Sequence, residues 1–371
     1  MVGAGAFGGW TALHLRRAGA RVTLLDAWGP GNARASSGGD TRVLRHTHRD
    51  RLYVDLAARA LALWLEHEAR WGQPLYRRTG VLWMAGADDA GETAALAHLR
   101  AAGIDHERLD LAALERHFPQ LNCAAIRWGI FEPTGGYLLA RRACQAVAEA
   151  VVAEGGVFRV AQIAPGRLRD GAMDGLTTSD GTTLQADLIV FAGGPWLGGL
   201  LADVVGPLVR PTRQEVFVFG PAPGDTRHAE GTMPVWIDHG ERFWYGIPGS
   251  EGRGFKIADD TRGGPLDPTL DERLSSAAGL ARARAYLEMR FPGLRGAPLL
   301  ESRVCAYENS PDSDFILDRH PGADNVWIVG GGSGHGFKHG PALGEIAAAA
   351  VLGRQPPPVR FSLARFGPIR S

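Results

Sequence analysis

The sequence predicts an α/β protein with a parallel, doubly wound sheet and a second, α+β domain built on a mixed, largely antiparallel sheet. Three observations support this prediction. A glycine-rich turn near the start leads into a helix, two strand-then-glycine segments lie far downstream, and alternating apolar and polar runs occupy the regions between them. Because 371 residues exceed what one ordinary core holds, we expect two domains.

The first thirty residues are typical of a dinucleotide-binding unit. Residues 3–8 form a G-x-G-x-x-G motif, followed by a helical pattern that ends at Gly19 and by a strand at residues 21–26. The glycines let the backbone approach a pyrophosphate, to which the helix N-terminus offers N–H donors. Asp26 closes the strand where a carboxylate accepts hydrogen bonds from ribose hydroxyls. The motif alone does not separate NAD from FAD. Only two residues precede it, so the first strand is either short or begins upstream of this methionine.

Two later segments predict further strands of the same sheet. Residues 186–192 form a buried strand that runs into a glycine loop, and residues 325–330 form another, followed by a helix from about 341 to 352. Residues from about 75 to 135 and from about 206 to 300 instead carry alternating patterns, as in 214–219 and 242–246. We expect the proline-rich tail after Arg354 to lie along the surface.

A cofactor domain that is interrupted twice by a substrate domain fits flavoprotein architecture better than a simple nicotinamide dehydrogenase. We therefore predict a discontinuous cofactor-binding domain and a substrate-binding domain. The first comprises residues 1–75, 136–205 and 301–371, and the second comprises residues 76–135 and 206–300.

Composition and charge exclude several classes of protein. Hydrophobic and charged fractions of 45% and 22% are typical of a soluble globular chain. A formal net charge of zero leaves no basic excess for nucleic acid or an anionic membrane. Apolar stretches such as residues 346–352 are far shorter than the roughly 20 residues of a membrane span. No secretion leader opens the chain, so we expect a cytoplasmic protein, and a monomer.

Cysteine and histidine positions predict neither a disulfide framework nor a metal site. Three cysteines are present, at Cys123, Cys144 and Cys305. Their odd number and wide spacing argue against disulfides, and no CxxC occurs. His46 and His48 are close together, but Arg45 and Arg49 flank them, and a cationic setting disfavours a metal ion. We interpret both histidines as surface or hydrogen-bonded residues and expect no structural metal.

Six short motifs together resemble those of the monomeric sarcosine oxidase and N-methyltryptophan oxidase family, which belongs to the D-amino-acid-oxidase-like flavoproteins. They are Gly39–His46, Phe131–Pro133, Tyr245–Pro248, Gly254–Ile257, Cys305–Asp312 and Gly332–Lys338. The resemblance covers nearly the whole chain. It implies a Rossmann-like FAD-binding domain and a flavin-dependent oxidase of the C–N bond of a small amino acid or N-alkyl amino acid, with release of an imine and hydrogen peroxide.

The resemblance also implies catalytic roles. Arg45 and Lys338 match the pair that clamps the substrate carboxylate, as an Arg fork and a Lys point charge can do in a water-poor pocket. Lys256 matches the lysine that promotes the reaction with dioxygen, because a cation stabilises negative charge developing on oxygen. Tyr245 matches an aromatic residue of the substrate pocket. By pattern alone, Arg45 and Lys256 are solvated bases and Tyr245 packs on a core.

The cofactor contacts implied by the resemblance are spread over the chain. They are Gly3, Gly5, Ala6, Phe7, Gly8, Asp26, Ala27, Ser37, Arg42, Ile163, Ala192, Gly193, Trp196, Cys305, Gly332, Gly334, His335, Gly336 and Lys338. Cys305 stands where this family attaches the flavin through a thioether, although a lone cysteine is more often a small buried residue.

Two departures from the family bear on the substrate. Ser37 and Gly38 replace two histidines, and Asp260 replaces a histidine four residues after the lysine at 256, so sarcosine itself is in doubt. An unperturbed aspartate, with a pKa of about 4, is ionised at neutral pH. Facing the pocket, Asp260 would favour substrates with a cationic or hydrogen-donating amine end that are larger than sarcosine. The alternative is that it pairs with Arg262 at the surface.

Three rival functions stay open. A flavin dehydrogenase would pass electrons to an acceptor other than dioxygen, and Lys256 argues against it. A non-catalytic FAD-binding protein is disfavoured by the complete set of Arg45, Lys256 and Lys338. A nicotinamide-only dehydrogenase is disfavoured by the twice-interrupted cofactor domain.

Overall fold

The computed structural model describes residues 1–367, so the last four residues of the predicted cofactor domain lie outside the described residues. Nine α-helices occur within this range. They are α1 (Ala6–Arg17), α2 (Arg51–Trp71), α3 (Ala90–Ala101), α4 (Leu111–His117), α5 (Ala140–Ala153), α6 (Leu197–Leu200), α7 (Ala202–Val205), α8 (Ala277–Arg290) and α9 (Gly340–Val351). Over residues 1–367, the helices are too short or too polar to cross a membrane.

The strands fall into two main sheets and three small ones. In chain order they are β1 (Thr23–Asp26), β2 (Thr41–Leu44), β3 (Tyr76–Arg78), β4 (Val81–Ala85), β5 (Glu107–Asp110), β6 (Trp128–Glu132), β7 (Gly136–Leu139), β8 (Val157–Val160), β9 (Ile163–Pro165), β10 (Leu168–Arg169), β11 (Ala172–Met173), β12 (Leu176–Thr178), β13 (Thr183–Leu184), β14 (Ile189–Phe191), β15 (Arg210–Phe219), β16 (Val235–His239), β17 (Phe243–Ile247), β18 (Phe255–Asp259), β19 (Leu299–Asn309), β20 (Ile316–His320) and β21 (Ala323–Gly330).

The first sheet is mainly parallel and carries the glycine-rich turn. Its order is β8-β1-β14-β21-β20, with Val2 bridging β1 and β14 in parallel to both, and only β20 runs antiparallel. The Val2 N–H donates to the Val190 oxygen at 2.8 Å, and the Gly3 N–H donates to the Leu25 oxygen at 2.7 Å. The position between β1 and β14 is therefore occupied by the single bridge residue Val2, directly before the glycine-rich turn.

The second sheet has eight strands in the order β19-β15-β18-β17-β16-β4-β6-β5. Every neighbouring pair is antiparallel except β16 and β4. One of the small sheets has three strands, in the order β2-β7-β3. A parallel sheet joined to a larger, mainly antiparallel one confirms the predicted fold class. The division into two discontinuous domains stays a proposal.

Helix α1 packs against α9, and glycines permit the close approach. A side chain at Gly8 would place a Cβ only 1.9 Å from the Gly3 oxygen, and one at Gly344 would lie 2.7 Å from Trp10. Trp10 is 1% exposed and belongs to the core between these helices. The small residues of α9 therefore fix the position of α1, and with it the glycine-rich turn.

The tail after Arg354 does not simply follow the surface as predicted. Phe361 is fully buried, with its ring centroid 5.5 Å from that of Phe315, and Leu363 is buried in a second cluster. Arg360 and Arg365 also form ion pairs with Asp314 and Asp312. The prediction was wrong because composition indicates a proline-rich surface but not the apolar groove that receives one phenylalanine.

Phe361→Ala tests this packing. Truncating a fully buried phenylalanine costs about 3–5 kcal/mol, so the urea midpoint of unfolding should fall clearly. The matched control is Val359→Ala two residues earlier, because Val359 is 87% exposed and its truncation should change the midpoint little. Equal, small effects of both changes would show that the tail does not contribute to the core.

Candidate functional site

A cavity of about 350 Å³ lies at the carboxyl ends of the parallel strands. Most of the predicted cofactor contacts border it. They are Gly3, Gly5, Ala6, Phe7, Asp26, Ala27, Ser37, Arg42, Ile163, Ala192, Gly193, Trp196, Gly332, Gly334 and Gly336. Segments that are far apart in sequence thus converge on one elongated space, as expected for a dinucleotide at the edge of a doubly wound sheet.

The turn before α1 presents backbone rather than side chains to this cavity. Gly5 is the residue before the helix, and it has no side chain that could cap the first turn. The N–H of Ala6 donates to Ser37 Oγ at 3.0 Å. Asp26 Oδ2 accepts from the Ala4 N–H at 2.9 Å, and its Oδ1 accepts from the Trp28 N–H at 3.0 Å. These bonds fix the carboxylate beside the turn, where a helix N-terminus and an acid can hold pyrophosphate and ribose.

The far end of the cavity also fits a cofactor. Glu308 is buried there, and its Oε2 has no hydrogen-bond partner among the described residues. Arg42 borders the same region and donates to the Ser36 oxygen at 2.7 Å and to the Gly38 oxygen at 2.6 Å. Exposed backbone, a fixed acid and an unpartnered carboxyl oxygen are together compatible with FAD. Residues 1–367 contain no group of three or more His, Cys, Asp or Glu side chains that could hold a metal ion.

A smaller pocket of about 70 Å³ adjoins the cavity. The two spaces share Arg42, Tyr307, Gly334 and Phe337. The predicted catalytic residues Arg45, Lys338, Tyr245 and Asp260 all border the smaller pocket. The structure therefore brings together side chains that the sequence separates by nearly 300 positions.

Glu132, at the end of β6, positions the segment that carries Arg45. Its Oε2 accepts from the His46 N–H at 2.7 Å and lies 2.9 Å from His46 Nδ1, while its Oε1 accepts from the Thr47 N–H at 2.9 Å and from the Thr47 hydroxyl. Burial favours the protonated acid, but these hydrogen bonds outweigh it and lower the pKa of Glu132 to about 2. The carboxylate is therefore ionised. His46 is buried and hydrogen-bonded, one of the two states predicted for it.

Arg45 and Lys338 are two of the three basic side chains, with Arg42, that border the small pocket. Burial lowers the pKa of Arg45 to about 10 and that of Lys338 well below its usual range. Arg45 donates to the Thr47 oxygen, and Lys338 Nζ donates to the His335 oxygen at 2.8 Å. Neither forms a salt bridge within the described part of the chain. An anion that entered the pocket would therefore meet Arg45 and Lys338 without displacing a salt-bridged carboxylate.

Asp260 faces the pocket, and the predicted pairing with Arg262 is not observed. Its Oδ1 accepts from the Tyr307 hydroxyl at 2.6 Å, whereas Arg262 donates to Ser313. Burial raises the pKa of Asp260 to about 6, so the expectation of an unperturbed carboxylate was wrong. The neighbouring Asp259 pairs instead with Arg242, at 2.6 Å.

Lys256 and Cys305 lie close to the shared wall without bordering either space themselves. Lys256 Nζ donates to the Thr41 oxygen at 3.0 Å and lies 5.8 Å from the ring centroid of Tyr245. Burial and then the nearby Arg42 lower the pKa of Lys256 to about 7. Cys305 is partly exposed and lies two residues before Tyr307, on the same face of β19. Lys256 and Lys338 are the only two lysines in the sequence.

Three other residues have positions that the sequence did not indicate. Gly8 does not border the cavity and serves the packing of α1 on the turn. Tyr307 and Glu308 border the cavity but were given no role, although both lie inside the Cys305–Asp312 motif. Strand alternation after Cys305 is the signal that could have singled out Tyr307.

Comparison with known proteins agrees with this arrangement. The chain matches the family model of the FAD dependent oxidoreductases (DAO) over residues 1–350. It is 32% identical over 364 residues to N-methyl-L-tryptophan oxidase from Salmonella newport strain SL254, covering 96% of this chain and 95% of that protein. The predicted family resemblance and enzyme class are confirmed.

Solved structures share the fold at lower sequence identity. L-proline dehydrogenase from P. horikoshii has a TM-score of 0.85 at 20% identity, covering 98% of this chain and 96% of that chain. Iminodiacetate oxidase from Chelativorans sp. BNC1 has a TM-score of 0.77 at 24% identity, covering 97% of both chains. At such identities the likeness concerns the architecture alone.

Proposed function

Because the chain belongs to the DAO family of FAD dependent oxidoreductases, we propose that it is an oxidase of the C–N bond of a small amino acid or N-alkyl amino acid. One observation carries the proposal. Arg45 and Lys338, both without a salt bridge among residues 1–367, border a small pocket that shares a wall with the cofactor cavity. Two cations in a poorly solvated space are suited to hold a carboxylate.

The pocket residues bind and orient the substrate. Its carboxylate docks on Arg45 and Lys338, and its negative charge favours the protonated amine of Lys338, which burial disfavours. Asp260, held by the Tyr307 hydroxyl, accepts a hydrogen bond from the amine end. FAD held in the adjoining cavity would supply the redox chemistry, which is oxidation of the carbon next to nitrogen and reduction of dioxygen to hydrogen peroxide. The imine product then hydrolyses off the enzyme.

The main rival is a dehydrogenase that uses an acceptor other than dioxygen. Lys256 favours the oxidase, because a cation near the cofactor cavity stabilises negative charge that develops on oxygen. Peroxide yield in air separates the two: one peroxide per imine supports the oxidase, and its absence with full turnover by a quinone supports the rival. The cytoplasmic location and the monomeric state also stay predictions, which cell fractionation and light scattering check.

Carboxylate binding is tested by anaerobic flavin bleaching with N-methyl, cyclic imino, L- and D-amino acids. Free acids should bleach the flavin, whereas their methyl esters and decarboxylated amines should bind poorly. Lys338→Met should raise the apparent Kd about 10- to 100-fold, because a charge-assisted hydrogen bond contributes about 1.5–3 kcal/mol. Arg49→Met is the control, since Arg49 is exposed. Esters that bind as well as acids would contradict the clamp.

The Asp260 carboxyl predicts a pH dependence of substrate binding. With a pKa of about 6, it loses its charge as the pH falls through that value, so substrate affinity should weaken on the acid side. Asp260→Asn should remove this acid limb and change the ranking of substrates. Asp259→Asn is the matched control, because Asp259 pairs with Arg242. An acid limb that persists in Asp260→Asn would assign it to another group.

Lys256 should govern the reaction with dioxygen. Its pKa of about 7 means that the cation is lost as the pH rises through neutrality, so the rate of flavin reoxidation should fall on the alkaline side. Lys256→Met should slow reoxidation on the order of 10²–10³-fold and affect anaerobic reduction less. Lys256→Arg, which stays charged, should remove the alkaline decline. Equal damage to both half-reactions in stopped-flow measurements would refute the assignment.

We also propose that FAD is attached covalently through Cys305. The thiol lies on β19, two residues before Tyr307 and on the same face of the strand, and Tyr307 borders the cofactor cavity. Acid-precipitated protein should retain yellow, fluorescent flavin in the pellet, and Cys305→Ala should release all of it. Cys144→Ala is a matched control, because Cys144 is buried in α5. Flavin found only in the supernatant of the wild-type protein would exclude the bond in that preparation.

A further inference from the structure

Glu308 is a buried acid that the proposed chemistry does not use. It is 5% exposed and is the penultimate residue of β19, which ends at Asn309. Its Oε1 accepts from the Gly332 N–H at 2.9 Å. Its Oε2 is buried without any hydrogen-bond partner over residues 1–367, and no salt bridge reaches the carboxyl within that range. One of its two oxygens therefore has no protein group to satisfy it.

The unpartnered oxygen lies at the cofactor cavity. Glu308, Gly194 and Gly332 all border that cavity. A Cβ built at Gly194 would lie 3.4 Å from Oε2, and one built at Gly332 would lie 3.2 Å from Oε1. The carboxyl thus fits between two glycine loops that present backbone to the cofactor. A ligand bound in this cavity would lie next to Glu308.

Among residues 1–367, the Gly332 N–H is the group that offsets the burial of the Glu308 carboxyl, and no charged side chain contributes to the shift of its pKa. Pro211 lies opposite it on β15, and the facing loops contribute Gly194 and Gly332. Tyr307 and Asn309 point to the other face of the strand. Burial raises the pKa of Glu308 to about 7, and the Gly332 N–H lowers it by a smaller amount. The acid therefore changes charge near neutrality.

A buried polar atom without a partner costs about 1–3 kcal/mol, and more when it is charged. When the unpartnered atom belongs to a residue at a ligand cavity, a bound ligand that supplies the missing hydrogen bond removes this cost and is thereby bound more tightly. A purely structural role would be met by an uncharged residue that accepts the Gly332 N–H as well, such as glutamine.

We propose that Glu308 positions and tunes FAD: Oε2 hydrogen-bonds a polar atom of the bound cofactor, and the proton of this carboxyl shifts the reduction potential. Reduction by two electrons adds negative charge to the cavity. An ionised Glu308 opposes that charge, so it takes up one proton from solvent as the electrons enter. A Glu308 that is already protonated takes up none. The inference rests on FAD binding alone and needs no particular substrate.

The experiment is a spectroelectrochemical titration of the full-length, FAD-loaded protein across the neutral pH range, with dithionite and mediator dyes as the reductant. In the pH range where reduction makes Glu308 take up a proton, the reduction potential of the wild-type protein should fall more steeply with rising pH. The slope should increase by about 30 mV per pH unit, which corresponds to one extra proton per two electrons. Glu308→Gln should lack this steeper segment and the accompanying pH-dependent change in the visible spectrum. Asp324→Asn on β21, whose side chain is 90% exposed, should behave as the wild type.

A Glu308→Gln protein that differs only in thermal stability, with the wild-type spectrum and the wild-type slope of potential against pH, would overturn the inference. Glu308 would then have a structural role alone. If the glutamine protein does not fold, Glu308→Asp keeps a titratable group at shorter reach. The steeper segment should then move along the pH axis, and an unmoved segment would overturn the inference equally. Since chemical reductants are used, a chain that oxidised no amino acid would still give a clear result.

Discussion

The buried carboxylate of Glu132 is the constraint on which the geometry of both cavities depends. It lies on β6 of the large sheet, yet its partners are His46 and Thr47, which follow β2. Arg42 and Arg45 lie on and just after β2, three residues apart, one at the cofactor cavity and one in the small pocket. Removing one partner of a buried charge costs about 3–5 kcal/mol, so this segment has a single well-defined position.

The cofactor cavity and the small pocket share a wall. Arg42, Tyr307, Gly334 and Phe337 border both spaces. At Gly334, where φ is +82°, a Cβ would lie 2.5 Å from the Tyr307 ring, so only glycine fits against it. This close contact keeps the substrate pocket beside the cofactor cavity. The Tyr307 hydroxyl donates to Asp260 in the pocket, and the next residue, Glu308, borders the cofactor cavity.

The basic side chains of the site are of two kinds, arginines that stay charged and lysines whose charge depends on their surroundings. Arginine supplies nearly all basic side chains, and only Lys256 and Lys338 are lysines. Burial depresses the pKa of both lysines, which an arginine in the same place would resist. Arg45 keeps its charge at neutral pH, whereas burial disfavours the protonated form of both lysines. The site thus combines a fixed cation with cations whose charge depends on pH and on the bound molecule.

The sequence by itself determined the elements with a local period and the residues inside strong motifs. The glycine turn, β1, α1, β21 and α9 are recognisable because the signal for each lies in adjacent residues. The family resemblance of the motifs implied that Arg45, Lys338 and Asp260 belong to the substrate pocket, and all three border it. Only the tertiary structure decided what depends on distant partners. Strand β15 extends to Arg210–Phe219 because β18 and β19 pair with it on both sides.

The same reason explains the remaining differences. Phe361 is buried because a groove beside Phe315 receives it, and Gly8 packs on the Gly3 oxygen instead of bordering the cavity. The pKa of Asp260 and that of Glu308 rise because folding removes water from them, and no local pattern encodes that burial. Residue type and spacing fixed which groups this chain carries. Long-range packing decided which of them are desolvated, and therefore which can change charge at neutral pH.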